Sequence, residues 1–145
     1  MNISKFTQKS IQAINNLEKV AYDFGNQEIE QEHLLYSLLH QDDSLILKLI
    51  EKMEIHKEHF LNRLDDYIGK RTKVSGAQPY IGQYLNKSMI NAEDEAKAMG
   101  DEYVSVEHLF LSILKHESPS MKQFFRVYGI TRERFLQALS TVRGN

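Results

Sequence analysis

The tripeptide Glu-His-Leu occurs twice in this sequence, as Glu32-His33-Leu34 and as Glu107-His108-Leu109. Both copies are predicted to lie in the first turn of a helix, where the helix dipole stabilises a carboxylate by about 0.3–1 kcal/mol. Helix initiation is therefore a sufficient explanation for each glutamate, and we interpret the histidines as hydrogen-bonded partners at a helix junction. A carboxylate beside the free N–H groups of a first turn also offers an acceptor to a ligand cation and donors to a ligand anion. The motif therefore also predicts a site for a zwitterionic or phosphorylated basic side chain.

A second cluster of potential ligands is formed by His56 and His59, with Glu58 between them. Only two firm metal ligands are present there, whereas structural zinc is normally bound by four. The sequence has no phosphate-binding loop, dinucleotide-binding motif, zinc-protease motif or nucleophile elbow, and without cysteine it has no thiolate chemistry. We therefore predict no catalytic residue, no metal and no cofactor within this chain. A stand-alone helical metal or small-molecule enzyme built on His56 and His59 is the enzymatic alternative.

The charge balance argues against a nucleic-acid partner. The chain has 145 residues, with 18 Lys and Arg against 20 Asp and Glu and a formal net charge of −2, whereas phosphate contacts require a concentrated basic excess. The basic cluster Lys70, Arg71 and Lys73 is interpreted as part of a solvated linker. The N-terminus lacks the apolar segment of a signal peptide, and no stretch approaches the roughly 20 apolar residues of a membrane helix. We predict a cytoplasmic, single-domain protein without membrane contact.

The chain aligns with itself at a shift of 75 residues without a gap. A fixed period of this kind indicates a tandem duplication. The identical pairs include Ala21/Ala96, Gly25/Gly100, Glu32/Glu107, His33/His108, Leu34/Leu109, Ser37/Ser112, Leu39/Leu114, Ile55/Ile130, Glu58/Glu133, Phe60/Phe135, Leu61/Leu136 and Leu64/Leu139.

Apolar residues recur with helical spacing in four segments of each half, which predicts four helices per repeat and eight in all. One such stripe and its counterpart are Ile46, Leu49, Ile50, Met53 and Met121, Phe124, Phe125, Tyr128. Gly25 and Gly100 are expected to end the first helix of each half at positive φ, and Ser105 to cap a helix that begins near Val106. No segment shows the alternation of a strand. The predicted fold class is therefore all-α.

The doubled pattern resembles a known family over essentially the whole chain. Ala21…Gly25…Glu32-His33-Leu34-Leu35 and Ala96…Gly100…Glu107-His108-Leu109 are similar to the Clp N-terminal repeat domain of Hsp100-type AAA+ unfoldases. Three segments resemble the disaggregase branch, ClpB, more than the protease-linked branch, ClpC. These are Phe6-Thr7-Gln8-Lys9, Lys73-Val74-Ser75-Gly76 and Val142-Arg143-Gly144-Asn145.

The resemblance implies a tandem pseudo-twofold repeat of two four-helix units in a single domain, residues 1–145. We expect repeat one at residues 1–70, a linker at 71–80 and repeat two at 81–145. The resemblance also implies that the chain stops where the first ATPase module begins, so that ATP and magnesium belong to downstream modules. The full-length protein is then a homo-hexamer, and the isolated domain is expected to be a monomer.

The resemblance also implies a function. In the family, this domain engages unfolded or aggregated proteins and assists their delivery to the ATPase ring, in cooperation with an Hsp70-type chaperone system. By position, Thr7, Asp101 and Glu107 match residues that the ClpB branch uses in client handling. In the ClpC branch, Glu32 and Glu107, with a threonine like Thr7, resemble a phosphoarginine receptor, and Gly82 lacks that hydroxyl in the second half. We expect client binding at these four acidic and hydroxyl residues, with adaptor and phosphoarginine binding as the alternative function.

Overall fold

The computed structural model describes residues 2–143, so Met1, Gly144 and Asn145 lie outside the described residues, including the last two positions of the C-terminal segment that resembles ClpB. A short 3-10 helix, Ile3–Lys5, precedes the α-helices. These are α1 (Gln8–Asn15), α2 (Leu17–Asp23), α3 (Gln31–Leu39), α4 (Leu45–Lys52), α5 (Lys57–Gly69), α6 (Gln83–Ile90), α7 (Ala92–Ala98), α8 (Val106–Lys115), α9 (Pro119–Arg126) and α10 (Arg132–Arg143). Two short strands, β1 (Glu28–Ile29) and β2 (Tyr80–Ile81), pair in parallel. No helix in the described range is long and apolar enough to cross a bilayer.

The predicted all-α fold class is confirmed, and the eight predicted helices are present as ten segments in the described range. A turn at Asn16 divides the first helix of the chain into α1 and α2, and a turn at Asn91 divides its counterpart into α6 and α7. Asparagine favours such breaks because its side chain competes for backbone hydrogen bonds. The two-residue strands were not predicted, since they are too short to show an alternating pattern.

The duplication extends from helices to individual hydrogen bonds. Each helix of the second half begins 74 or 75 residues after its counterpart in the first. Ser37 Oγ donates to the carbonyl of Ala13 at 2.7 Å, and Ser112 Oγ donates to the carbonyl of Ser88 at 2.6 Å. In both repeats, this buried serine therefore joins the third helix to the first.

The two repeats pack through equivalent helices. Helix α1 contacts α8, and helix α3 contacts α6. In the second repeat, α6 corresponds to α1 and α8 corresponds to α3. The two contacts are therefore related by the pseudo-twofold symmetry of the repeats. The predicted stripe residues Ile46, Leu49, Phe124 and Phe125 lie in one shared core and are at most 1% exposed. Val142, in α10, is exposed and lies outside this core. Because the core is shared, each repeat buries its apolar face against the other.

The predicted linker is bound to the first repeat. Its last residue, Tyr80, begins strand β2, which pairs with β1, and Arg71 donates to Glu28 and Glu32 at 2.7 and 2.9 Å. The Arg71 side chain is only 20% exposed, so its interpretation as a solvated residue is wrong. The two glutamates neutralise it, although they lie far from it in the sequence. The repeat boundaries stay a prediction: 1–70, 71–80 and 81–145.

His33 fixes the start of α3. Its Nδ1 accepts from the Glu30 N–H at 2.9 Å, and its Nε2 lies 2.9 Å from Asn26 Oδ1. Because a backbone N–H donates to Nδ1, Nε2 carries the proton and donates to the amide oxygen. The ring is fully buried. Burial, reinforced by the nearby charge of Arg71, lowers the pKa of His33 to about 4.

His108 has the same place at the start of α8. Its Nδ1 accepts from the Ser105 N–H at 2.8 Å, and its Nε2 lies 2.7 Å from Asp101 Oδ2. A carboxylate therefore stands where the first repeat has an amide. The prediction that both histidines are hydrogen-bonded partners at a helix junction is confirmed, and Ser105 is the N-cap residue of α8, as expected.

The turn after the fourth helix of each repeat requires a positive φ. The residue there is Glu54 in the first repeat, with φ 62°, and Gly129 in the second, also with φ 62°. This backbone conformation costs an L-residue roughly 1–2 kcal/mol, whereas glycine adopts it freely. Glu54 is exposed, so no buried contact of its side chain offsets that cost. The predicted glycines Gly25 and Gly100 also have positive φ, at 74° and 72°.

We expect Glu54→Gly to raise the free energy of unfolding by about 0.5–1 kcal/mol, because glycine relieves the strained backbone at this turn. Urea denaturation followed by circular dichroism measures the change. Gly129→Ala is the matched control and should lower the free energy of unfolding by about 1–2 kcal/mol. Its added methyl group also lies 3.1 Å from Arg134 Nη1. A Glu54→Gly protein less stable than wild type would contradict the assignment of strain.

We expect the stability contributed by neutral His33 to be lost as the pH falls. The imidazole titrates near 6.5 when unfolded and near 4 when folded, so below pH 6.5 the unfolded state binds a proton that the folded state does not. The contribution is fully present above pH 6.5 and declines down to pH 4, by roughly 3 kcal/mol in all. Urea denaturation across this pH range and NMR titration of the ring check both statements.

The control for this pH dependence is Asn26→Asp, which gives His33 the carboxylate that His108 has. A nearby negative charge favours the imidazolium form. We therefore expect the variant to raise the pKa of His33 and to reduce the loss of stability in the same pH window. A wild-type ring that titrates at its ordinary value, or a variant with unchanged pH dependence, would contradict the assignment.

Candidate functional site

Thr7 lies at the start of α1, where its hydroxyl accepts from the Ser10 N–H at 3.3 Å. The Thr7 N–H donates to the carbonyl of Val104 at 2.9 Å, and Ser10 Oγ donates to the same carbonyl at 2.9 Å. These bonds tie the start of α1, in the first repeat, to the residues just before α8, in the second. Two helix starts from different repeats therefore meet at one place.

A cavity of about 400 Å³ lies between these two helix starts, and we call it the Thr7 cavity. Leu45 and Val106 supply apolar surface, whereas Thr7, Ser105 and Glu107 supply polar groups. A cavity with apolar walls and a few polar groups is a typical binding site. The structure therefore brings Thr7 and Glu107 together. The full set of lining residues is Thr7, Gln8, Lys9, Gln41, Asp43, Leu45, Ser105, Val106 and Glu107.

Glu107 also belongs to a charged cluster around Arg143. Arg143 Nη2 donates to Glu107 Oε2 at 2.6 Å, and its Nη1 lies 2.9 Å from Asp101 Oδ2. The same Asp101 oxygen accepts from His108. Burial alone raises the pKa of the Asp101 carboxyl, but the hydrogen bonds from Arg143 and His108 outweigh it and lower that pKa. Asp101 and Glu107 are therefore neighbours, bridged by one guanidinium.

Glu32 lies in a different cavity, of about 370 Å³, between α3, α5 and α9. Its side chain is 2% exposed. Oε2 accepts from Arg71 at 2.9 Å and from Ser120 Oγ at 3.2 Å, while Oε1 has no partner in the described part of the chain. Neither Thr7 nor Glu107 lines this cavity. A role for Glu32 in client binding stays a prediction, and any such role belongs to a separate place.

Exchange of the two repeats maps the Thr7 cavity onto a second place, between the starts of α6 and α3. Side chains of the chain itself fill this second place. The Glu-His-Leu motifs are identical, but the residues around them differ. Three pairs account for the filling: Thr7/Gly82, Ser105/Glu30 and Val106/Gln31.

Glu30 has the capping role at α6 that Thr7 has at α1. Its Oε1 accepts from the Leu85 N–H at 2.9 Å, and a side chain caps a helix by accepting from just such an early N–H. A Cβ atom on Gly82 would clash with that oxygen, which is why this position has glycine. The hydroxyl that Gly82 lacks is therefore replaced by a carboxylate from the first repeat.

Gln31 fills the space at the position that Val106 has beside the Thr7 cavity. Its Nε2 donates to Ser88 Oγ at 2.7 Å and to the carbonyl of His116 at 2.9 Å, and its Oε1 accepts from the Ser118 N–H at 2.9 Å. Gln31 is completely buried. Val106 is shorter and has no polar side-chain atom, so it makes no such contacts. One of the two equivalent places is therefore closed, and the other is open.

Sequence reasoning missed Val106, Leu45 and Arg143 as residues of this site. The signal for Val106 was present in the repeat alignment, which pairs it with Gln31 next to identical glutamates. No local signal marks Arg143, because its bond to Glu107 joins residues 36 positions apart.

The other predicted ligand pair, His56 and His59, makes hydrogen bonds within the protein. His56 Nδ1 accepts from the His59 N–H at 3.3 Å, and His59 Nδ1 lies 2.8 Å from the Tyr128 hydroxyl. Among residues 2–143, no group of three or more His, Cys, Asp or Glu side chains is placed to hold a metal ion. A further cavity of about 410 Å³ lies between α2 and the linker, and its lining includes Tyr22 and Pro79 but none of the predicted site residues.

Sequence comparison relates the chain to ClpB proteins. The family model of the Clp repeat N-terminal domain matches residues 5–127. The chaperone protein ClpB of Nitratidesulfovibrio vulgaris is 37% identical over 151 aligned positions, and that of Clostridium tetani is 35% identical over 150. Each alignment covers the whole of this chain but only 18% and 17% of the respective relative.

Solved structures share the fold at low sequence identity. The Hsp104 N-terminal domain from Candida albicans has a TM-score of 0.81 and 20% identity, covering 97% of this chain and 92% of that one. A ClpV N-domain in complex with a VipB peptide has a TM-score of 0.70 and 18% identity, covering 95% and 86%. The duplicated helices, the family match and the ClpB relatives together show that this chain belongs to the Clp repeat N-terminal domain family, as a ClpB-like N-terminal domain of the Hsp100 chaperones.

Proposed function

We propose that this chain is the client-binding N-terminal domain of an ATP-dependent protein disaggregase of the ClpB type. It holds unfolded or aggregated proteins and assists their delivery to an AAA+ ring. The observation that carries the proposal is the open Thr7 cavity, in which apolar surface from Val106 lies next to the carboxylate of Glu107. Its counterpart is closed by Gln31, so residues 2–143 offer one of the two equivalent places.

The chemistry of the Thr7 cavity suits an unfolded chain. Unfolded segments expose apolar and cationic side chains that folded proteins bury or pair. A volume of about 400 Å³ accommodates an apolar side chain, and Glu107 offers an acceptor to a cationic neighbour. Contact through one or two side chains is weak and has little sequence preference. Weak binding favours delivery, because a tightly held client would resist translocation.

The relatives support this proposal and indicate which properties of a longer protein belong to it. A ClpV N-domain of the same fold has been solved with a VipB peptide, so a relative of this fold binds a peptide. Because the chain spans 18% of the ClpB of Nitratidesulfovibrio vulgaris, the properties of a longer protein are part of the proposal. These are a homo-hexameric ring, downstream modules that bind ATP and magnesium, and cooperation with an Hsp70-type system in the cytoplasm. This chain contributes binding and not catalysis.

Phosphoarginine and adaptor binding, as in a ClpC-type unfoldase, stays the alternative. Glu32 and Glu107 lie in separate cavities, and each is bonded to an arginine of the chain itself. A phosphoarginine that pairs with both oxygens of either carboxylate would compete with Arg71 or Arg143. An apolar client side chain enters the Thr7 cavity without any displacement, and this difference favours client binding.

NMR titration of the isotope-labelled domain with unfolded α-casein tests the proposal. We expect amide shift changes concentrated at Thr7, Asp101 and Glu107, because Thr7 and Glu107 line the cavity and Asp101 is bridged to Glu107 by Arg143. Free phosphoarginine is the second titrant. Phosphoarginine-induced shift changes around Glu32 that are abolished in Glu32→Ala would favour the alternative function. Casein-induced shift changes confined to surfaces remote from Thr7 would contradict the proposal.

We expect Val106→Gln to weaken casein binding at least about tenfold, which corresponds to a loss of about 1.4 kcal/mol. The longer amide side chain fills the Thr7 cavity as Gln31 fills its counterpart, so the fold accommodates it. Fluorescence anisotropy of labelled casein measures the Kd. Val127→Gln is the matched control, since Val127 is 62% exposed and does not line the cavity. Equal effects of the two variants would argue against the cavity as the binding place.

A further inference from the structure

Strand β2 has one edge that is paired and one that is open. The N–H groups of Tyr80 and Gly82 donate to the carbonyls of Gln27 and Ile29, at 3.0 and 2.8 Å. Because the backbone groups of alternate residues point to the same side of a strand, those of Ile81 point away from β1. In the described part of the chain, neither the N–H nor the carbonyl of Ile81 has a hydrogen-bond partner. The outer edge of β2 therefore offers one donor and one acceptor to another strand.

The equivalent edge in the first repeat is closed. Phe6 corresponds to Ile81, and it forms an isolated parallel bridge with Val104. The Phe6 N–H donates to the carbonyl of Ile3 at 3.0 Å, a bond that ends the 3-10 helix. Phe6 is 7% exposed, whereas Ile81 is 41% exposed. The duplicated fold therefore closes this edge at one place and leaves it open at the other.

The open edge also lacks the charged side chains that protect exposed strands. Natural proteins place lysine at sheet edges because its charge opposes pairing with another chain. The first repeat has Lys5 at this position, and the counterpart of Lys5 in the second repeat is Tyr80, which is 51% exposed. Residues 74–86 contain no charged side chain. Neither hydrogen bonding nor charge therefore prevents a further strand from pairing here.

We propose that the outer edge of β2 binds an extended segment of a client polypeptide, which adds a third strand to the β1–β2 sheet. The inference rests on the proposed function, because the added strand belongs to the unfolded client. It goes further in assigning a second contact surface, since neither Tyr80 nor Ile81 lines the Thr7 cavity. The occupant is a strand because the open groups at this edge are backbone groups, and an extended polypeptide presents the matching donor and acceptor.

Backbone pairing suits a domain that holds many different clients. Nearly every residue of an unfolded segment presents an N–H and a C=O group, so pairing depends little on sequence. Folded proteins pair these groups internally, so the edge selects unfolded chains. Strand β2 has only two residues, and Pro79 before it has no N–H. Few hydrogen bonds therefore form, and binding at the edge stays weak.

A cavity beside Tyr80 provides a side-chain contact for the added strand. Its volume is about 460 Å³, and Glu28, Val74 and Tyr80 are among its lining residues. Glu28 and Tyr80 are register partners in β1 and β2, so the cavity lies on one face of the sheet. Aromatic side chains pair favourably with β-branched and aromatic neighbours on the next strand. We therefore expect a preference for valine, isoleucine or tyrosine next to Tyr80.

The experiment removes the outward N–H without removing the pairing of β2 with β1. Ile81→Pro does this, because proline is tolerated on edge strands where its missing N–H faces away from the sheet. Ile81→Ala is the matched control, since it shortens the side chain and keeps the N–H. The probe is a capped, fluorescein-labelled octapeptide of alternating threonine and valine residues. A second peptide of the same sequence has N-methyl groups on its four central amides and cannot pair there.

We expect Ile81→Pro to bind the unmethylated peptide at least about threefold more weakly than Ile81→Ala does, because one hydrogen bond is lost. Fluorescence anisotropy measures both Kd values. The N-methylated peptide should bind wild type and both variants equally weakly. In wild-type protein, saturating unmethylated peptide should slow hydrogen exchange of the Ile81 amide at least about tenfold, because pairing protects it. NMR measures the exchange rate.

Tyr80→Lys covers the case in which Ile81→Pro folds poorly. It gives the open edge the lysine that the first repeat has as Lys5, so we expect at least about threefold weaker binding of the unmethylated peptide. Tyr22→Lys makes the same change in net charge and is the matched control. Tyr22 is 83% exposed and does not line the cavity beside Tyr80, so its variant should bind as wild type does. Thermal unfolding verifies that each variant is folded.

Sedimentation velocity at the same protein concentrations identifies the occupant of the edge. We expect wild-type protein to be a monomer with and without peptide. A wild-type dimer that Ile81→Pro or Tyr80→Lys abolishes would assign the edge to a second copy of this chain and would overturn the inference.

The binding outcomes separate this inference from the proposed function. Equal peptide affinity of Ile81→Pro and Ile81→Ala, or of Tyr80→Lys and Tyr22→Lys, with casein still shifting Thr7 and Glu107, would overturn the inference alone. Equal affinity of the two peptides for wild type would also overturn it, because the contact would then not involve backbone pairing. Failure of casein and of both peptides to bind wild-type protein would overturn both proposals.

Discussion

The histidines His33 and His108 hold the start of the third helix of each repeat through two hydrogen bonds made by one fully buried ring. One ring nitrogen accepts from the backbone at the helix start, and the other donates to a side chain in the turn after the second helix. Because glutamate precedes histidine in the sequence, these bonds also set the position of Glu32 and Glu107 on the first turn. The helix start, the turn and the carboxylate of each repeat therefore form one unit, on which both the packing of the repeats and the geometry of the candidate site depend.

Each of these units lies against a helix start of the other repeat, so the duplicated fold has two equivalent contact places. The residues at the two places differ. At one of them, Glu30 caps α6 and Gln31 makes four hydrogen bonds to the second repeat. Buried polar groups specify an interface only when their hydrogen bonds are well satisfied. The polar side-chain atoms of Gln31 all have hydrogen-bond partners at this place. At the other place, Val106 makes no such bonds and a cavity remains. Two closed places would leave no room for a ligand, whereas two open ones would remove the hydrogen bonds that join the repeats.

The elements could be predicted from the sequence because they depend on local patterns. Apolar spacing identifies the helices, and the shift of 75 residues identifies the repeat. The Thr7 cavity could not be predicted in this way, because its walls come from three separate parts of the chain, and only the family resemblance named Thr7 with Glu107. Arg71 shows the limit most clearly, since the sequence places it among lysines, while its partners Glu28 and Glu32 lie 43 and 39 residues away. Charge patterns along the chain do not indicate which charges meet in space.

The ion pair at Arg143 meets a requirement that the fold places on Glu107. A carboxylate whose side chain is only 8% exposed is costly without a cationic partner, and Arg143 supplies that partner from α10 at 2.6 Å. Because the same guanidinium also lies 2.9 Å from Asp101, the pair joins the start of α8 and the turn before it to α10. Under the proposed function, the carboxylate beside the Thr7 cavity is therefore held in a fixed position, and the apolar surface of Leu45 and Val106 is the part of the cavity that a client side chain reaches without breaking an ion pair.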